Sequence, residues 1–165
     1  MKKQTVLITL LLLAVSLKPA HTETENWPQY RGANSDGLGE GATLPTTWSA
    51  TENVVWKTKV PGWGWSSPII WGDRVFLTSA VGKTELPTPQ IGGYPGGHIG
   101  AEEEHRWMLY CLDFKTGDIL WEFEAHKGIP PQMRHPRNSF ASETPVTAGE
   151  RVYAYFANIG LFCCD

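Results

Sequence analysis

From about residue 54 onward, short apolar stretches are separated by Gly, Pro, Asp and Thr. Short apolar runs rich in Val, Ile, Trp, Tyr and Phe between turn formers predict β-strands joined by tight connections. The strands fall near 54–60, 67–71, 74–80, 107–112 and 118–125, with further ones within 143–165. The start of the chain has a different pattern. Met1-Lys2-Lys3 is basic, and Val6 to Leu17 is apolar apart from Thr9 and Ser16. That run is shorter than the roughly 20 residues a bilayer span needs. Ala20-His21-Thr22 then offers a cleavage site before Glu23, so residues 1–22 read as a secretory signal peptide, with an uncleaved anchor as the alternative. Residues 23–53 form an N-terminal extension ahead of the strands.

The strands repeat. Ser67-Pro68-Ile69-Ile70-Trp71-Gly72-Asp73-Arg74-Val75-Phe76-Leu77 matches Thr144-Pro145-Val146-Thr147-Ala148-Gly149-Glu150-Arg151-Val152-Tyr153-Ala154 at an offset of 77. Leu109-Tyr110-Cys111-Leu112-Asp113 matches Leu161-Phe162-Cys163-Cys164-Asp165 at an offset of 52, which places an insertion within 81–107. Ile119 to Ala125 matches Val54 to Val60, Trp121 falling on Trp56. Labelling the strands of one unit A to D, the chain reads as a lone D strand at 54–60, a full unit over 66–125, then A, B and C within 143–165. Four-stranded units in series predict an all-β fold, a β-propeller, of which this chain carries less than two blades. A lone D strand ahead of the first A suits a ring closed by strand exchange, and the pattern therefore predicts a fragment. A complete small β-sandwich of about seven strands is the alternative.

Composition narrows the classes further. The chain has 165 residues, 41% hydrophobic, 19% charged and 12% aromatic, with eight Trp, 17 Gly and 12 Pro. This is too apolar for a disordered tail and too poor in Cys for a disulfide scaffold. The net charge of −3 becomes −6 once residues 1–22 are removed, with 11 basic against 17 acidic residues. A nucleic-acid partner is not expected from that balance. Nor is a membrane span expected after signal cleavage. Export to the periplasm or the medium would expose Cys111, Cys163 and Cys164 to oxidation, and an odd set leaves at least one thiol unpaired by internal disulfides.

Leu112-Asp113-Phe114-Lys115-Thr116-Gly117-Asp118-Ile119-Leu120-Trp121 resembles the tryptophan-docking signature of quinoprotein-like, PQQ-binding-like propellers. In that pattern Thr116-Gly117 makes the C–D turn, Asp113 accepts hydrogen bonds from its backbone, and Trp121 packs toward the neighbouring blade. Asn26-Trp27-Pro28-Gln29-Tyr30-Arg31-Gly32, Trp65-Ser66-Ser67-Pro68 and Ala141-Ser142-Glu143-Thr144-Pro145 also look like secreted members of this family. The family holds pyrroloquinoline-quinone dehydrogenases as well as a cofactor-free assembly scaffold, so the resemblance implies a fold before a function. It implies an exported binding or scaffolding module, non-catalytic as it stands, whose partners are further propeller blades or other proteins. The alternative is the N-terminal part of a periplasmic PQQ-dependent alcohol or sugar dehydrogenase. No cofactor is expected in these residues, although PQQ is possible in an intact relative.

Candidate chemistry is sparse. Some quinoprotein alcohol dehydrogenases bridge adjacent cysteines beside the quinone, and Cys163-Cys164 are adjacent. Within a strand, however, neighbours point to opposite faces, and Cys111 holds the matching position without a partner. Gly82-Lys83-Thr84 lacks the rest of a phosphate loop, and the Gly-rich stretch 91–100 reads as a flexible connection. Glu102-Glu103-Glu104-His105 has no metal-ligand spacing and reads as a solvated strand entry. Arg134, His135, Arg137 and Asn138 lie in the long connection 126–143, and they are the candidates for binding a polar or anionic ligand. A surface loop pinned by Pro130, Pro131 and Pro136 is the plain alternative. No catalytic residue and no metal ligand is expected.

Overall fold

A computed structural model describes residues 26–39, 41, 44–83, 100, 102–157 and 159–165. The signal-peptide reading of 1–22 and most of the Gly-rich connection lie outside these residues. The described part contains seven strands and no helix. They are β1 (Ile69–Trp71), β2 (Arg74–Val81), β3 (His105–Asp113), β4 (Ile119–Gly128), β5 (Val146–Ala148), β6 (Arg151–Phe156) and β7 (Gly160–Cys164). The first four form one antiparallel sheet in the order β1-β2-β3-β4, and the last three a second in the order β5-β6-β7.

The sequence repeat reappears as a repeat of register. Ile69 pairs with Phe76 in the first sheet, and Val146 with Tyr153 in the second. Phe76 pairs with Cys111, and Tyr153 with Cys163. Each first hairpin turns on a glycine in the left-handed region, Gly72 at φ 56° and Gly149 at φ 68°. A two-residue turn of that kind matches the twist of the strands it joins. Equal register follows because each turn fixes its hairpin, and a slip by one residue would exchange the two faces of a strand.

Strand β3 is the centre of the molecule, buried on both faces. Trp107, Leu109 and Cys111 join Ile69, Phe76 and Ala80 in a cluster that also takes Val152, Ala154 and Phe156 from the second sheet. Met108, Tyr110 and Leu112 point the other way and join Val75, with Val60, Ile70, Leu77 and Val81 at the margin. The two sheets therefore stack face to face, and unlike faces meet. Val152 and Ala154 of the second sheet abut the first, yet their counterparts, Val75 and Leu77, lie on the far face of the first sheet. Polar bonds stitch the stack together. Ser67 N donates to Thr144 Oγ1 at 3.0 Å, the buried Thr78 hydroxyl donates to Glu143 O at 3.2 Å, and Trp65 N donates to Ala141 O at 3.0 Å. At the inner edge, Trp27 and Ile70 exchange backbone bonds of 2.8 Å, while Thr147 N donates to Pro28 O at 2.9 Å. The segment 26–28 thus ties β1 to β5.

The strand bounds depart from expectation in two places. Residues 54–60 form no ladder among the described residues, so the expected lone D strand is replaced by a segment held through its side chains. A strand needs a neighbour to pair with, and none of the described strands pairs with this segment. The ladder between β3 and β4 runs further than expected, to His105 and Gly128. Its polar ends carry no apolar pattern to betray them. Exposed ion pairs flank it there, Arg106 with Glu124 and Lys127 with Glu104 at 3.1 Å.

Candidate functional sites at the docking turn and the connecting loop

The turn between β3 and β4 is built by Asp113. Its Oδ1 accepts from Lys115 N at 2.8 Å and from Thr116 N at 2.9 Å. Those two bonds hold the Asp113 carboxyl below its ordinary range, because they favour the charged form. Thr116 Oγ1 donates to Asp118 Oδ2 at 2.8 Å and accepts from Asp118 N at 3.2 Å. Gly117 sits at φ 77°, where a side chain is strained. It is also roofed: a Cβ there would lie 2.5 Å from the Trp56 ring. Trp56 Nε1 donates to Phe114 O at 2.9 Å, and Thr58 Oγ1 donates to Gly117 O at 2.6 Å. The indole on the turn comes from outside the sheet, from segment 54–60. Nothing in the local sequence of the turn announces Trp56, but its alignment with Trp121 in the repeat does. Trp121 itself packs on the cluster between the sheets, its ring 5.9 Å from that of Phe76.

The second region is the connection from β4 to β5. Arg134, His135 and Asn138 line a cavity of about 150 Å³, together with Trp107, Phe140 and Glu143 among others. Arg137 does not line it. The cavity lies at the end of the stack where β3 begins and β6 finishes, between the two sheets. Arg134 is only 8% exposed. Its Nη1 donates to three backbone carbonyls, Asn138 O at 2.8 Å and His135 O and Pro136 O at 3.3 Å each. The guanidinium also lies over the Phe140 ring, 5.6 Å from its centre. Burial pushes this guanidinium below its ordinary value, and no carboxylate lies within salt-bridge distance among the described residues.

The rest of the loop is ordered by short polar links. Arg137 N donates to His135 Nδ1 at 3.1 Å, and Ser142 Oγ donates to Asn138 Oδ1. Trp107 Nε1 donates to Phe140 O at 2.9 Å, which fastens the loop to β3. Sequence reasoning missed Trp107, Phe140 and Glu143. Trp107 comes from β3, while Phe140 and Glu143 come from the far end of the loop, which folds back to Arg134 and is fastened to β3 by the Trp107 bond.

The remaining candidates separate. Cys111 is buried, Cys163 exposed and Cys164 half-buried, and all three are free thiols. Cys163 and Cys164 stand on opposite sides of β7, Cys164 against the cluster between the sheets. As placed, the pair does not fit a quinone platform, which needs both sulfurs on one side. His105 is buried rather than solvated, its ring edge-on to Phe140 at 5.1 Å, while Glu104 pairs with Lys127. No group of three His, Cys, Asp or Glu able to hold a metal gathers among the described residues. No protein-family model and no curated protein sequence matches this chain.

Proposed function

We propose that this chain is an exported binding or scaffolding module built on a quinoprotein-like β-propeller, its two sheets being successive blades. The observation that carries this reading is the stacking of two sheets of identical register with unlike faces in contact. An arrangement that joins one face to a different face is head-to-tail, and it adds further units until a ring closes or a filament grows. Two features agree with it. The outer face of the second sheet presents Leu161 at 65% exposure and Tyr155 at 47%, positions equivalent to the buried Leu109 and Thr78 of the first sheet. Trp56 lies on the Gly117 turn just as a docking tryptophan from a preceding unit would. The natural partner of the outer face is another blade, and a pocketed loop end leaves the module free to hold a ligand or protein. Export rests on the basic start and short apolar run of residues 1–17.

Purified chain lacking residues 1–22 tests the proposal through urea unfolding followed by Trp fluorescence, with light scattering in parallel. We expect concentration-dependent association, relieved by the pair Tyr155→Glu and Leu161→Glu. A monomer at every concentration with a single cooperative transition would mark an autonomous sandwich and end the propeller reading.

A further inference from the structure

We infer that the cavity between the two sheets is a binding site for a small monocarboxylate, gripped by the free edge of the Arg134 guanidinium. The inference rests on reading this loop as the ligand-facing part of a binding module. Arg134 is the anomaly that motivates it. A guanidinium taken out of water needs an anion or a full set of acceptors. Nη1 has three carbonyls, but Nε and Nη2 have no hydrogen-bond partner among the described residues. No buried polar side-chain atom among these residues is cut off from both a partner and solvent, so those donors keep access to open space, and Arg134 is one of the residues that line the cavity.

The free edge, Nε–H with Nη2–H, is planar and restrained, because Nη1 is held by three carbonyls and the guanidinium lies over the Phe140 ring. That geometry matches two oxygens of a carboxylate. The walls select further. Trp107, Phe140 and Met133 offer apolar and aromatic surface for the body of the acid. Glu143 lines the same cavity, and only its Oε2 is engaged, by Ser142 N at 3.2 Å. A second negative charge on the ligand meets this carboxylate, so a dianion such as phosphate is disfavoured relative to a monoanion. The volume of about 150 Å³ suits a small acid or the last residue of a peptide.

Binding is read by two-dimensional NMR on the chain lacking residues 1–22, following Arg134 Nε–H and the Trp107 indole N–H. The probes are benzoate, inorganic phosphate, and one tripeptide with a free or an amidated C-terminus. Benzoate should move both signals saturably, and phosphate should not. A shift by the free-acid peptide but not its amide would extend the site to chain ends, and a shift by benzoate alone would restrict it to free acids. Glu143→Gln should tighten benzoate binding roughly threefold by removing a like charge. Arg134→Lys, which keeps the charge and loses the fork, should abolish the shift of Trp107. If Arg134→Lys does not fold, the Glu143→Gln comparison still decides. Stationary Arg134 Nε–H and Trp107 signals with every carboxylate, or equal shifts from phosphate and benzoate, would overturn the inference. Association through the outer face of the second sheet is measured apart from these signals. Loss of carboxylate binding with association retained therefore removes only this site, and the converse removes only the propeller reading.

Discussion

Asp113 and Arg134 are both charged residues in connections, and their surroundings use the charge differently. Asp113 is surface-lying and spends its carboxylate on two backbone N–H groups of its own turn. Its lowered folded pKa means that, between the folded and unfolded values, the unfolded chain binds the extra proton. The stabilisation is therefore complete above about pH 3.9, the ordinary value for Asp, and fades as pH falls through the lowered folded value. We expect the Lys115 and Thr116 amide signals to titrate together with that lowered midpoint, and to lose the titration in Asp113→Asn. Amides that titrate at the ordinary Asp value would show the turn to be held otherwise. Arg134 instead ties three carbonyls and keeps its other edge facing a cavity. Both residues stand out in the sequence, Asp113 through its motif and Arg134 by its place in a long Pro-rich connection. Both find their hydrogen-bond partners within four residues, but only the Asp113 turn has a motif that names them, while the cavity beside Arg134 also needs Trp107 from β3.

At the scale of elements, the hairpins were legible and the long-range contacts were not. Gly72-Asp73 and Gly149-Glu150 each sit between β-rich runs, and each forms the expected two-residue turn. The limits of β3 and β4 escaped, because the last pairs, His105 with Gly128 and Arg106 with Lys127, carry no apolar alternation to mark them. The segment 54–60 escaped for the opposite reason. Its alternation suits a strand, but its described hydrogen bonds run from side chains to a turn. This makes Gly117 a sensitive position twice over, through its φ of 77° and through the indole above it. Gly117→Ala should cost about 2 kcal/mol, from the left-handed penalty and displacement of Trp56. The urea midpoint of unfolding measures it. An unchanged midpoint would mean that the Trp56 contact contributes nothing to the fold.

Over the whole molecule, burial is graded from the centre outward. Strand β3 contributes side chains to both clusters, so it should open only with global unfolding. Among the described residues strand β4 pairs on one side only, and most of its residues are exposed. Hydrogen exchange should find the β3 amides slowest throughout. In β4, amides bonded to β3 should alternate with fast ones along the strand. Uniform slow exchange along β4 would reveal a further partner at that edge. The same gradient explains where the cavity and the exposed outer face of the second sheet arise. Both occur where one sheet ends or faces outward, and neither interrupts the shared core.

Some of this protein was fixed by local chemistry. Strand-forming runs, glycine turns and the 77- and 52-residue offsets determine the all-β class and the register, because a hairpin's turn and a strand's period of two are short-range facts. The tertiary structure alone decided which faces meet and that Trp107, Phe140 and Glu143 gather around Arg134. Those contacts form only when the sheets and the connection between them pack together. The burial that drives stacking is nondirectional, and it leaves no mark in the spacing of the chain.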